Sequence, residues 1–221
     1  MKNIVIVTPH PDDETLGCGG TILKYIEQGH KVFWLIITTA GDFVSNEWKQ
    51  KRMQEITQVA KQYNFEKTFE LNLEAATLDQ VADSLLVGEI SKVFLEIQPN
   101  IVYVPYPSDI HSDHKAVFEA TMACTKWFRY PSVEKVLAYE TLSETDFTIN
   151  PDANNFRPNV YINIEKYLDK KIELMNIYES EVDAFPFPRS EKTIRSLAYV
   201  RGSASGYGAA EAFMLLKERV E

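Results

Sequence analysis

The sequence predicts an α/β fold: a Rossmann-like, mostly parallel sheet flanked by helices, in one domain over residues 1–221 with an elaborated C-terminal third. Two observations carry that prediction. Short β-rich apolar runs alternate with amphipathic helical periods. No internal repeat, low-complexity segment or linker-like stretch interrupts them.

The runs IVIVT (4–8), VFWLIITT (32–39), TFELNL (68–73) and IVYVPY (101–106) have the apolar character of central strands in a parallel sheet. Between them, residues 14–28 place Leu16, Ile22, Leu23 and Ile26 at helical spacing, and 47–63 and 78–97 are amphipathic with charged outer faces. HSDHKAVFEATMACTKWF (111–128) reads as a further helix, and right-handed winding of strand and helix follows. Next, VEKVLAYETL (133–142) and PNVYINI (158–164) read as strands, separated by the loop TDFTINPDANNFRP (145–158) with its Asn and Pro turn signals. A helix is expected over 165–182. Residues 183–220 then hold a Pro-rich turn, a helical piece, a Gly/Ser-rich loop and a closing apolar stretch, which elaborate the sheet edge and the rim of the site.

Composition narrows the function. With 221 residues, 45% of them hydrophobic and 25% charged, the chain suits a soluble globular protein with one hydrophobic core. Lys and Arg number 23 against 32 Asp and Glu, so the net charge of -9 repels a phosphate backbone and argues against nucleic acid. Cys18 and Cys124 sit in apolar helical contexts and read as buried thiols, which points to a cytoplasmic location. The apolar run at 4–8 is too short for a signal peptide, and no membrane span is expected.

VTPHPDDETLGCGG (7–20) crowds a histidine and three carboxylates into the turn after the first strand. Ligands of open α/β sheets gather beyond the carboxyl ends of the strands, which is where this turn falls. Pro9 and Pro11 stiffen the loop and free His10, Asp12 and Asp13 to face one spot. Neighbouring carboxylates repel one another unless a divalent cation offsets their charge, so the crowding points to a metal. GCGG (17–20) lacks the third glycine of a dinucleotide loop, Ile22 standing in its place, and close packing of the helix accounts for it better.

A second cluster, YPSDIHSDHKA, follows the fourth strand. His111 and His114 lie three apart at a helix start, beside Asp109 and Asp113. Either cluster alone also reads as a capped helix start. Their placement at the same end of one sheet favours a metal site. The remaining histidine, His30, belongs to a solvated turn.

PHPDDE followed by HSDH resembles the PIG-L/LmbE-like family of metal-dependent N-acetylglucosaminyl deacetylases. KRMQEITQVAKQYNF with LNL, YINIEKYLDKKIELMNIYESEV and VRGSASGYGAAEAF extend the resemblance over essentially the full chain. It implies that His10, Asp13 and His114 hold Zn2+, with Fe2+ able to take the same ligands, and that a position is left for water. It further implies Asp12 as general base, His111 as an imidazolium that stabilises the oxyanion, Asp113 as the group that orients an imidazole, and Arg52 as a substrate contact. The substrate implied is an acetylated amino sugar or its conjugate, and the enzyme a hydrolase working alone or as a homo-oligomer.

Asp109 stands where some relatives carry a tyrosine that assists the oxyanion, so it is assigned to the substrate-binding set, with Tyr106 and Tyr207 as candidate replacements for the tyrosine. Phe185 and Phe187 could line a sugar cleft or pin their loop to the core. Two histidines and a carboxylate also form the facial triad of non-haem iron oxygenases. A two-metal phosphoesterase wants more bridging ligands than these loops supply. A non-catalytic sugar-binding protein with a structural metal would not need Asp12.

Overall fold

Strand β1 (Asn3–Thr8) is an interior strand of the seven-stranded sheet. Its Ile4, Val5, Ile6 and Val7 are all fully buried, as a strand covered on both faces requires. The computed structural model describes residues 1–41, 44–149 and 156–220. β1 pairs in parallel with β2 (Lys31–Thr39) on one side and β4 (Ile101–Pro105) on the other. β3 (Lys67–Glu74) extends the sheet beyond β2, and β5 (Lys135–Tyr139) beyond β4, both in parallel. The chain then reverses. β7 (Ala210–Glu218) runs antiparallel to β5, and β6 (Val160–Asn163) antiparallel to β7, giving the order β3-β2-β1-β4-β5-β7-β6.

Side-chain alternation along β1 divides the core. Ile4 and Ile6 join one apolar cluster with Leu16, Ile56 and Ile172, from α1 (Asp13–Glu27), α2 (Asn46–Tyr63) and α5 (Leu168–Met175). Val5 and Val7 join the other, with Ile90, Phe94 and Val117 from α3 (Asp83–Ile97) and α4 (Ser112–Ala123). Full burial of each such side chain stabilises the fold by roughly 1.5–3 kcal/mol. α6 (Glu191–Ser203) packs against β7. The strand order reverses between β1 and β4, so the crevice of an α/β sheet lies between the two turns that carry the histidines.

The elements match the expected alternation, with corrections at their ends. The third run, expected as a central strand, is an edge strand whose residues alternate in exposure. The helix expected over 78–97 is broken: Leu78–Gln80 form a 3-10 turn, Val81 and Ala82 are extended, and α3 begins at Asp83. α4 stops at Ala123, short of 128, because Thr125 turns its hydroxyl and its N–H onto the Met122 carbonyl. The expected helix over 165–182 is a 3-10 turn at Glu165–Tyr167, begun by Asn163 Oδ1 accepting the Glu165 N–H, and then α5. It ends at Met175, and Tyr178 beyond it turns into the core. The Asn and Pro signals at 150–155 lie outside the described residues.

The glycines after the first motif serve packing. A Cβ on Gly17 would lie 2.4 Å from the ring of the buried Tyr139, and one on Gly20 would lie 2.6 Å from Ile164. Gly17→Ala is therefore expected to lower stability by about 1–3 kcal/mol through overpacking. The shift of the urea unfolding midpoint at constant slope measures it.

Candidate functional site

Two turns meet at the carboxyl ends of β1 and β4. In the first, Asp12 adopts φ 126°, a conformation costly for a residue with a side chain. The Glu14 carboxylate holds it there by accepting the Asp12 N–H at 3.0 Å, and the Thr15 and Tyr178 hydroxyls anchor Glu14 in turn. Burial pushes the Glu14 carboxyl up to about 7. Asp12 caps α1 through its carbonyl alone, and its side chain makes no cap bond. The carboxylate is free for other work.

In the second turn, His111 caps α4, its Nδ1 accepting the Asp113 N–H at 3.1 Å. Asp113 accepts N–H groups from Ala76 at 2.6 Å and Leu78 at 3.1 Å, where the 3-10 turn of Leu78–Gln80 begins. Its Oδ2 also lies 3.1 Å from His10 Nε2. The second turn thus orients an imidazole of the first.

His114 is fully buried and held through Nδ1 by Asp109 Oδ2 at 2.8 Å. Its Nε2 is buried with no hydrogen-bond partner. Asp13 Oδ2 lies 3.4 Å from that nitrogen and 3.5 Å from His10 Nδ1. The ligand atoms of His10, Asp13 and His114 all lie within 4.8 Å of one another. Two imidazoles, each with its far nitrogen held by a carboxylate, and one acid form a donor set that suits a divalent cation such as zinc. A buried, unpartnered imidazole nitrogen aimed at the other two donors fits such an ion. His10, His111 and Asp113 make a second grouping, but Asp113 and the His111 Nδ1 are already committed to backbone N–H groups.

Charge follows from these neighbours. Burial lowers His10, yet hydrogen bonds to Asp113 and Asp13 outweigh it and raise the imidazole to about 10. Burial would raise Asp13, but His114 and His10 hold its carboxyl well below the usual range. Burial pushes Asp12 up to about 8, against the pull of Arg189. Burial, followed by repulsion from His10 and His114, drops His111 to about 4.

The site opens into a cleft of about 460 Å³ whose walls include Asp12, His111, Trp48, Met53, Glu144 and Glu181. Two residues assigned to substrate contact are placed otherwise. Asp109 is fully buried and serves His114 and the Thr145 hydroxyl, so it cannot reach a substrate. Arg52 lines the cleft, but its terminal nitrogens are spent on the Pro11 carbonyl, Ser180 and Glu181. Tyr106 packs on Phe156, and neither it nor Tyr207, Phe185 or Phe187 lines the cleft. His30 accepts the Lys2 N–H away from the site.

Arg189 was missed by sequence reasoning. Its guanidinium donates to Asp12 Oδ2 at 2.7 Å and to Glu181 Oε2 at 2.9 Å. The available signal was an arginine ending a Pro-flanked turn just before a Ser-capped helix.

The family described as PIG-L: GlcNAc-PI de-N-acetylase matches residues 5–125. The diacetylchitobiose deacetylase of Thermococcus kodakarensis is 24% identical over 220 residues, covering 96% of this chain and 82% of its own. The structure of the Pyrococcus horikoshii N,N'-diacetylchitobiose deacetylase superposes with a TM-score of 0.79 at 21% identity, over 98% of this chain and 84% of that one. The hydratase GalB of Pseudomonas putida gives 0.75 at 18% identity over 100% and 98%, so the fold by itself does not select a reaction.

Removing the Asp109 carboxylate by Asp109→Ala frees the His114 ring and is expected to weaken zinc binding by about 10- to 100-fold, as read by competition with a chelating dye. A cation must also displace the proton held on His10. Zinc affinity is therefore expected to rise with pH across the neutral range, and calorimetry in buffers of different ionisation enthalpy should detect proton release.

Proposed function

Because this chain belongs to the PIG-L family, we propose that it hydrolyses the N-acetyl group of an N-acetylglucosamine-type sugar or conjugate, releasing acetate and the free amine. One observation carries the proposal. A buried carboxylate, Asp12, lines the cleft with His10 and stands near enough to His10 and Asp13 to act on their charge, without belonging to the triad of His10, Asp13 and His114. A structural metal needs no such neighbour, whereas hydrolysis needs a base within reach of a water.

In this reading His10, Asp13 and His114 hold a divalent cation, zinc or iron(II). When bound, the ion supplies Lewis acidity to the acetyl carbonyl and makes a water easier to deprotonate. Asp12 takes the proton at Oδ1, since Arg189 occupies Oδ2. Its raised carboxyl range suits a group that must accept a proton and return it near neutrality. In this reading His111 is neutral in place of the expected imidazolium. With Nδ1 accepting a backbone N–H and the ring's proton affinity lowered, it is neutral and carries its proton on Nε2, where it donates to the developing oxyanion. Asp113 keeps His10 oriented, and Asp109 does the same for His114. Asp12 then passes its proton to the departing nitrogen as the carbon–nitrogen bond breaks.

The rivals fit less well. An oxygenase triad is expected in a β-barrel scaffold, and this sheet is open and mostly parallel. A two-metal phosphoesterase would require a second set of ligands, and among the described residues the second grouping shares His10 with the first. A hydratase remains a chemical alternative on this fold, separable by product. No described helix is long and apolar enough to cross a membrane. Both cysteines are free and buried, which supports a cytoplasmic location as part of the proposal.

The test is a panel of N-acetylated sugars assayed for acetate, with chelator and with added zinc. Acetate that disappears with chelator and returns with zinc supports the reading, and its absence from the whole panel overturns it. Asp12→Asn should retain zinc while losing about 10²- to 10⁴-fold in kcat. His10→Ala should lose both metal and turnover.

A further inference from the structure

The cleft beside the metal triad carries cations, but the protein has already matched them. Arg189 donates from Nη1 to Asp12 and Glu181 and from Nε to the Ser143 hydroxyl at 2.9 Å, and its Nη2 lies 3.5 Å from Glu144. Arg52 pairs with Glu181 and Glu55, and it donates to Ser180 and the Pro11 carbonyl. Glu181 thus gives one carboxylate oxygen to each arginine. An alternating series runs from Asp12 through Arg189, Glu181 and Arg52 to the Pro11 carbonyl, beginning and ending on the loop that carries the base. Lys49, the third cation of the wall, has a partner of its own.

The wall offers no excess of cation. Among its described residues, Asp12, Glu70, Glu144 and Glu181 stand against Lys49, Arg52 and Arg189. The triad adds Asp13, with Asp109 and Asp113 behind it, which offsets the charge of a divalent ion. A substrate carrying a carboxylate or phosphate near its acetamido group would meet like charge and no uncommitted guanidinium. Uncharged sugar hydroxyls can instead donate to these carboxylates, and Trp48 and Met53 offer apolar wall to the C–H faces of the ring.

We infer that Glu181 is a specificity-determining residue: by occupying both cleft arginines it restricts the site to uncharged N-acetyl sugars and excludes anionic conjugates. This rests on the deacetylase reading and names the substrate class within it.

The test uses a matched pair, the methyl and the carboxymethyl glycosides of N-acetylglucosamine, with the zinc-loaded protein at low salt. The wild type should favour the methyl glycoside by about tenfold or more in kcat/KM, equivalent to about 1.4 kcal/mol. Glu181→Gln should narrow that ratio by at least about threefold, chiefly by accelerating the carboxymethyl substrate. Equal rates in the wild type, or a preference for the anionic glycoside, would overturn the inference and leave the deacetylase reading standing. An unchanged ratio in Glu181→Gln would overturn the role given to Glu181. If that variant does not fold by circular dichroism, Glu181→Asp, too short to span both arginines, is judged by the same ratio. If neither glycoside yields acetate, the deacetylase reading fails for them, and calorimetric binding of the same pair decides the charge preference: tighter binding of the methyl glycoside supports it, equal or weaker binding overturns it.

Discussion

Parallel pairing of β1 with β4 is the constraint on which the site depends. The register sets Ile4 against Ile101, Val5 against Val102 and Ile6 against Tyr103, so the two strands end side by side. His10, Asp12 and Asp13 leave one strand and Asp109, His111, Asp113 and His114 leave the other, about a hundred residues later in the chain. Such a contact carries a loop-closure cost, which the buried apolar faces of β1 and β4 offset. The sheet is rigid because both its faces are covered, and rigidity of the strands becomes precision in the turns.

Around that junction the protein arranges its acids in pairs with their counterparts. Asp13 faces both ligand imidazoles, Asp113 holds the outer nitrogen of one, and Asp109 holds that of the other. Each buried carboxylate thereby finds a cation or a donor, without which burial would cost several kcal/mol. The arrangement reaches into the wall of the cleft, because the Asp113 that orients His10 also grips the N–H groups of Ala76 and Leu78. The orientation of His10 and the shape of the cleft share one carboxylate.

The parallel half of the sheet was legible because its strands are apolar runs and its helices keep their period. That His10, Asp13 and His114 would converge was legible because both motifs follow strands at one end of the sheet. Element ends were not, since single side-chain bonds mark them: the Thr125 hydroxyl sits on the Met122 carbonyl where α4 stops, and Asn163 Oδ1 accepts the Glu165 N–H where the next 3-10 turn begins. Asp109 and Arg52 were placed in the right region with the wrong neighbours, because a spacing reveals nearness and not the direction a side chain takes. Arg189 left no periodic trace, and only the folded C-terminal third brings it to Asp12 across 177 positions of sequence.

That third enters the sheet in an order unlike its order in the chain. β7 is the last strand, yet it lies between β5 and β6. As the chain leaves the ribosome, β1 to β5 and the candidate ligands His10, Asp13 and His114 emerge well before it, with β5 ending at Tyr139. β6 emerges next and has no described sheet partner but β7. The guanidinium that reaches Asp12 is likewise made late, after the candidate metal donors. Synthesis order therefore makes the last strand the one that ties β6 to the rest of the sheet.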